Sequence, residues 1–159
     1  MTGSLLLWIF LALTIFWGVG LYNRLMRIRA RGRDALGSVE KHLKGYATVT
    51  HAYLMEMGVP EEAIKGVAGE QGLPHGWANL LGTLHALDVA CKTARTTPMA
   101  IAPMEAVGRG LQNVAHAWAE LSSAPADLAG PAVPDTLLKE WEDITQKVHI
   151  ARGGYNQIV

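Results

Sequence analysis

The sequence predicts an all-α protein: an N-terminal transmembrane helix continuous with the first helix of an antiparallel four-helix bundle. Three observations lead there. Leu5 to Leu21 is an apolar run without a charged side chain. No proline interrupts the chain before Pro60, so the run passes unbroken into a basic and then amphipathic stretch. Beyond it, apolar residues recur at spacings of three and four in four stretches, and nowhere alternate at period two for the length of a strand.

The anchor comes first. A bilayer core needs roughly 20 residues of apolar helix, with about 17 as the lower limit, and Leu5–Leu21 meets that limit. Trp8 and Trp17 stand near its two ends, where indole rings favour the membrane interface, and Tyr22 adds to the inner belt. A secretory signal peptide would need a basic start, which Met1-Thr-Gly-Ser4 lacks, and a small-x-small cleavage site, which Phe16-Trp-Gly-Val-Gly20 does not offer. A buried core helix is rarely apolar on every side over such a length. Residues 1–4 read as a short tail, 5–21 as the span and 22–159 as a cytoplasmic bundle.

Charge sets the expected orientation. The 14 basic and 14 acidic residues balance overall, which gives no reason to expect nucleic acid. Locally they do not balance: Arg24, Arg27, Arg29, Arg31 and Arg33 crowd together just past the apolar run. Arginines resist translocation, so the N-terminus is expected outside and the bundle in the cytoplasm. The same collar suits anionic lipid head groups or the acidic face of another membrane subunit. The single cysteine, Cys91, fits a reducing compartment and lies on an apolar helical stripe, as a small buried hydrophobe would.

The bundle helices follow in order. The first stripe runs Leu25, Gly32, Leu36, Val39, Leu43, Tyr46, Thr50, Tyr53, with Ser38, Glu40, Lys41 and Lys44 on the other faces. Gly58-Val-Pro60 ends it. Pro60-Glu-Glu-Ala-Ile-Lys65 reads as a short helix with proline and acids in its first turn. Gly66 to Gly76 is a glycine-rich loop. The second bundle helix carries Trp77, Leu80, Leu81, Leu84, Leu87, Cys91 and Ala94, and stops near Arg95. After a linker over Thr96–Pro103, the third carries Met104, Val107, Leu111, Val114, Trp118 and Leu121. Ser122 to Pro134 is a proline-rich break. The fourth opens with Asp135 as N-cap candidate and has the strongest periodicity: Leu137, Trp141, Ile144, Val148, Ala151, Tyr155, Ile158. That stripe is still running at Val159. Trp77, Trp118 and Trp141 are expected in the core.

The sequence offers little chemistry. The six histidines include no Glu-x-x-His, His-Glu-x-x-His or Cys-x-x-Cys pattern, so neither a metal nor a cofactor is expected. His85-Ala-Leu-Asp88 reads as a seam histidine bonded to an acid one turn away. Gly18-Val-Gly20 and Gly108-Arg-Gly110 follow no strand, which argues against a dinucleotide site. Gly18 and Gly20 suit close helix–helix contact in the membrane instead. There is no nucleophile elbow and no phosphate-binding loop, and no catalytic activity is expected.

The two ends of the bundle carry a resemblance. Tyr22-Asn23-Arg-Leu-Met-x-Ile-Arg29, followed by Val39-Glu-Lys-His-Leu43-Lys, resembles the first helix of the LemA family. Trp141-Glu-Asp-Ile144 through Val148-x-x-Ala151-Arg152-x-x-Tyr155-Asn156-x-x-Val159 resembles its last helix. The middle, Gly58 to Pro134, matches nothing in that family, and Gly45-Tyr-Ala-Thr-Val-Thr50 stands where the family has a proline-containing step. The resemblance implies a membrane-anchored, non-enzymatic helical bundle of a bacterial inner membrane, serving membrane organisation or assembly. An accessory subunit of a larger membrane complex is the alternative, and a homo-oligomer or protein partner in the bilayer is expected in either case. The pairs Tyr22-Asn23 and Tyr155-Asn156 are expected at one membrane-proximal end.

Overall fold

The computed structural model describes residues 2–65, 73, 76–97, 100–125 and 132–157, with backbone alone for 2–6 and 65. All regular structure among them is helical, in five helices. The predicted Ile158, most of the loop over 66–76, Pro98 and Met99 of the linker, and residues 126–131 of the proline-rich break lie outside the described residues.

Helix α1 spans Thr2–Glu56, 55 residues, so Thr2 to Ser4 of the expected tail already belong to the helix. Its inner half buries Leu36, Val39, Leu43, Tyr46, Thr50 and Leu54. Its end is a Schellman motif: the Val59 amide donates to the Leu54 carbonyl at 3.0 Å and the Gly58 amide to that of Met55 at 3.0 Å. The motif needs a left-handed residue, which Gly58 supplies at φ 79°. Val59 and Leu54, the apolar pair that accompanies such a cap, are both buried. Pro60 then accepts from Ala63 and Ile64 and starts the short α2, Glu61–Lys65.

Helix α3 is Trp77–Thr96. It buries the predicted Trp77, Leu80, Leu84, Leu87, Cys91 and Ala94, while Leu81 is half-buried. Helix α4 is Ile101–Ser122 and takes in three residues assigned to the linker from sequence. Pro103 does not prevent this, because the first turn of a helix has no use for its amide hydrogens. Helix α5 is Asp135–Asn156. Its N-cap position is held by Pro134 rather than Asp135, and the Pro134 carbonyl accepts from Leu138 at 3.1 Å. Leu137, Trp141 and Val148 are buried there, with Ile144, Ala151 and Tyr155 partly covered.

The helices pair as α3 with α4, α1 with α5, and α1 with α3. Tyr53 meets Trp77 ring to ring at 5.2 Å and Glu40 meets Arg95 at 3.7 Å, so α1 and α3 run in opposite directions. Gly76 lies against Leu121 and Gly110 against Leu87, so α3 and α4 do likewise. Helices α4 and α5 make no extended backbone approach.

The inner half of α1 meets α5 through Tyr46. Its ring lies 4.4 Å from that of Trp141, and its hydroxyl donates to Thr145 Oγ1 at 2.9 Å. From Thr145 to Asn156 α5 extends about 16 Å at the helical rise, whereas Leu25 stands about 31 Å from Tyr46. Leu25, placed in the buried stripe from sequence, is half exposed, and the covered part of α1 begins at Gly32.

Candidate functional site

Three places in the fold could carry function: the outer half of α1, the buried charges at the α1–α3 seam, and the gap between α4 and α5.

Every side chain described from Leu7 to Arg31 is exposed, including Trp8, Trp17, Tyr22, Asn23 and the arginines at 24, 27, 29 and 31. Arg33, one residue past the buried Gly32, is exposed too. An 18-residue window of this helix has mean hydropathy 1.4 with none of it buried, so by length and composition α1 can cross a membrane. A Cβ built on Gly18 or Gly20 would meet no atom within 4 Å. Leu21, Leu25 and Ile28 continue the line of the buried stripe outward, all exposed, the last two between arginines.

The two Tyr-Asn pairs do not come together. Tyr155 is half-buried against the core and lies about 15 Å along α5 from Thr145, while Tyr22 lies about 36 Å along α1 from Tyr46. The shared membrane-proximal position expected of them is corrected: Tyr155 packs on the core while Tyr22 stands far out along α1. Asn156 and Asn23 are both exposed.

At the α1–α3 seam, Glu40 is buried at 6% exposure, against its sequence assignment to an outer face. Its carboxylate accepts from Lys44 Nζ at 2.9 Å and faces Arg95 Nη1 at 3.7 Å. The hydrogen bond and charge of Glu40 hold the Lys44 pKa above its ordinary value. Cys91 is buried nearby, and burial, followed by the charges of Glu40 and Asp88, pushes its thiol up to about 11. A thiol held neutral is a poor nucleophile and a poor metal ligand. Asp88 pairs with Lys92 at 2.7 Å and His85 is exposed, so the expected His85–Asp88 seam pair does not form. Among the described residues no three metal-ligating side chains gather.

The gap between α4 and α5 is a groove of about 580 Å³. Trp118 from α4 and Trp141 from α5 stack across it, with centroids 3.9 Å apart and planes 6° from parallel. Trp141 is buried as expected of a core tryptophan, but Trp118 is only half-buried and forms a wall of the groove. The Tyr46 hydroxyl donates to Thr145 Oγ1, which donates in turn to the Trp141 carbonyl at 2.8 Å. Glu142, next in sequence to Trp141, also lines the groove, with His149 and Arg152 farther along α5. Sequence reasoning missed this site because each stripe reads as core by itself, and only the spacing of α4 from α5 leaves the two tryptophans as a lining.

No family model matches the chain, and no curated protein or solved structure matches it significantly.

Proposed function

We propose that this protein is a non-enzymatic, membrane-anchored helical scaffold that organises or helps assemble components of a bacterial inner membrane. The observation that carries the reading is the shape of α1: one continuous helix, Thr2–Glu56, exposed from Leu7 to Arg31, where an apolar run passes into arginines, and built into the core along its inner half. A helix with no internal joint transmits position from bilayer to bundle, as a scaffold requires. The helix pairings suit an antiparallel four-helix bundle of α1, α3, α4 and α5, and the resemblance of its two ends to the LemA family agrees with the reading.

In this reading Leu5–Leu21 crosses the bilayer with the N-terminus outside. At about 26 Å the run falls short of a hydrocarbon core near 30 Å, and Leu25 and Met26 make up the difference while the arginines snorkel to anionic head groups. The test is alkaline extraction of membranes from cells making the full chain, with alkaline phosphatase fused at Val159. The protein stays in the pellet and the fusion is inactive. Release into the supernatant, or an active fusion, overturns the anchor or its orientation.

A second reading, an accessory subunit of a larger membrane complex, is favoured by the open helix face at Gly18 and Gly20 and by exposed Leu21, Leu25 and Ile28. Size analysis after mild detergent extraction separates the two. A heteromeric particle of fixed stoichiometry decides for the subunit.

A further inference from the structure

We propose that the groove between α4 and α5 binds a long-chain carboxylate, its alkyl chain on the Trp118–Trp141 wall and its carboxylate at Arg152. This goes beyond the scaffold reading and stands if that reading fails, because the groove belongs to the bundle alone.

Width selects the class of occupant. Where Trp118 and Trp141 stack at 3.9 Å, two side chains already fill the space between the helices. A partner helix, about 10 Å or more across, cannot enter between them, whereas a single alkyl chain can lie along them. The volume of about 580 Å³ falls within the range of small-molecule sites. From Leu138 to Arg152 the α5 wall is about 21 Å long, the length of a common acyl chain.

The chemistry of the walls selects the tail. Tyr46 and Thr145 line the groove, but their hydroxyls are engaged with each other and with the Trp141 carbonyl. That leaves the inner wall with indole, leucine and valine surface to offer, which favours alkyl chains over polar ones.

Charge selects the head group and its direction. Arg152 lines one end, with His149 one turn away, and Arg152 has no acidic partner among the described residues. Glu142, next in sequence to Trp141, lines the groove ten residues back on the same helix, about 15 Å away. An anionic head is attracted at the Arg152 end and repelled at the other, and a carboxylate matches the guanidinium fork with two parallel hydrogen bonds.

The test uses the full chain in phosphatidylcholine nanodiscs with a palmitate analogue bearing a diazirine at its terminal carbon. After photolysis, labelled peptides are mapped by mass spectrometry. We expect labelling on Leu111–Trp118 and Leu138–Thr145. Ala115→Trp fills the groove from an exposed position of α4 and abolishes it. Arg152→Glu, and the methyl ester of the probe, each lower it about tenfold, the worth of one charge-assisted hydrogen bond. Arg152 is exposed, so its variant answers even if Ala115→Trp disturbs folding, which circular dichroism reports. Labelling confined to the apolar run of α1, or groove labelling indifferent to Arg152→Glu and to the ester, overturns the proposal. A chain that fails to enter nanodiscs sinks the anchor reading instead, and the same labelling is then read in buffer.

Discussion

Trp118 and Trp141 lie face to face with ring centroids 3.9 Å apart, and among the described residues theirs is the ring contact that bridges α4 and α5. Trp141 also meets Tyr46 at 4.4 Å, so three helices converge on one indole.

Trp118→Ala removes the bridge from its half-buried side. Loss of the stack and of part of the burial costs about 2 kcal/mol. Trp141→Ala, from a buried site, costs about 3–5 kcal/mol. Urea denaturation of both single variants and the double variant gives the coupling directly. The double variant loses less than the two singles together, because both singles break the same stack.

Thr50 is fully buried and its Oγ1 has no hydrogen-bond partner among the described residues. Thr50→Val keeps the shape and the β-branch while removing the unsatisfied hydroxyl. It stabilises the fold by about 1 kcal/mol, read as a higher denaturation midpoint at unchanged slope. A loss of stability would show that the hydroxyl finds a partner after all.

Glu40 holds two cations from a buried position. Removing one, by Lys44→Met or Arg95→Met, leaves the other in place and lowers the melting temperature only slightly. Removing both strands the carboxylate and lowers it by more than the sum of the singles. Simple additivity in thermal melts would mean that solvent alone satisfies Glu40.

Cys91 makes alkaline pH a probe of the core. Its thiol is raised from 9.0 to about 11, so the folded state favours the protonated form. That contribution is fully present below the unfolded pKa and is lost as pH rises through the folded one. Stability therefore falls between about pH 9 and 11, and Cys91→Ala flattens the fall. At pH 8 only about one thiol in a thousand is ionised, so maleimide labels the native protein far more slowly than the protein in urea.

Gly76 adopts φ 85°, and a Cβ there would stand 2.9 Å from Leu121 Cδ1. Gly58 adopts φ 79° with open space around it. Gly58→Ala costs about 1 kcal/mol for the left-handed backbone alone. Gly76→Ala costs more, because Leu121 must also move. Equal midpoints in urea for the two variants would show that Leu121 yields freely.

Much of the fold was legible from residue order. The α5 stripe from Leu137 to Tyr155 is covered at each described position, and α3 buries all but Leu81 of the residues its spacing selects, because 3.6 residues per turn makes one face of a helix readable by itself. The end of α1 was legible for a related reason: a left-handed glycine followed by valine and proline closes a helix locally. Glu40 was not legible, because nothing local distinguishes a glutamate on the solvent face from one that a lysine of its own helix and an arginine of α3 allow inward. Leu25 failed in the opposite direction: its spacing fits the stripe, but no described residue of another helix covers it.

By itself, the sequence determined the helical class, the helix faces and an outer α1 long and apolar enough to cross a membrane, since these follow from periodicity, turn chemistry and hydropathy within short windows. Tertiary structure alone decided which helices pair, where the covered part of α1 begins, and that α4 and α5 stand apart with two tryptophans between them. Those outcomes depend on the relative lengths and separations of elements distant in the chain, and no single stripe contains them.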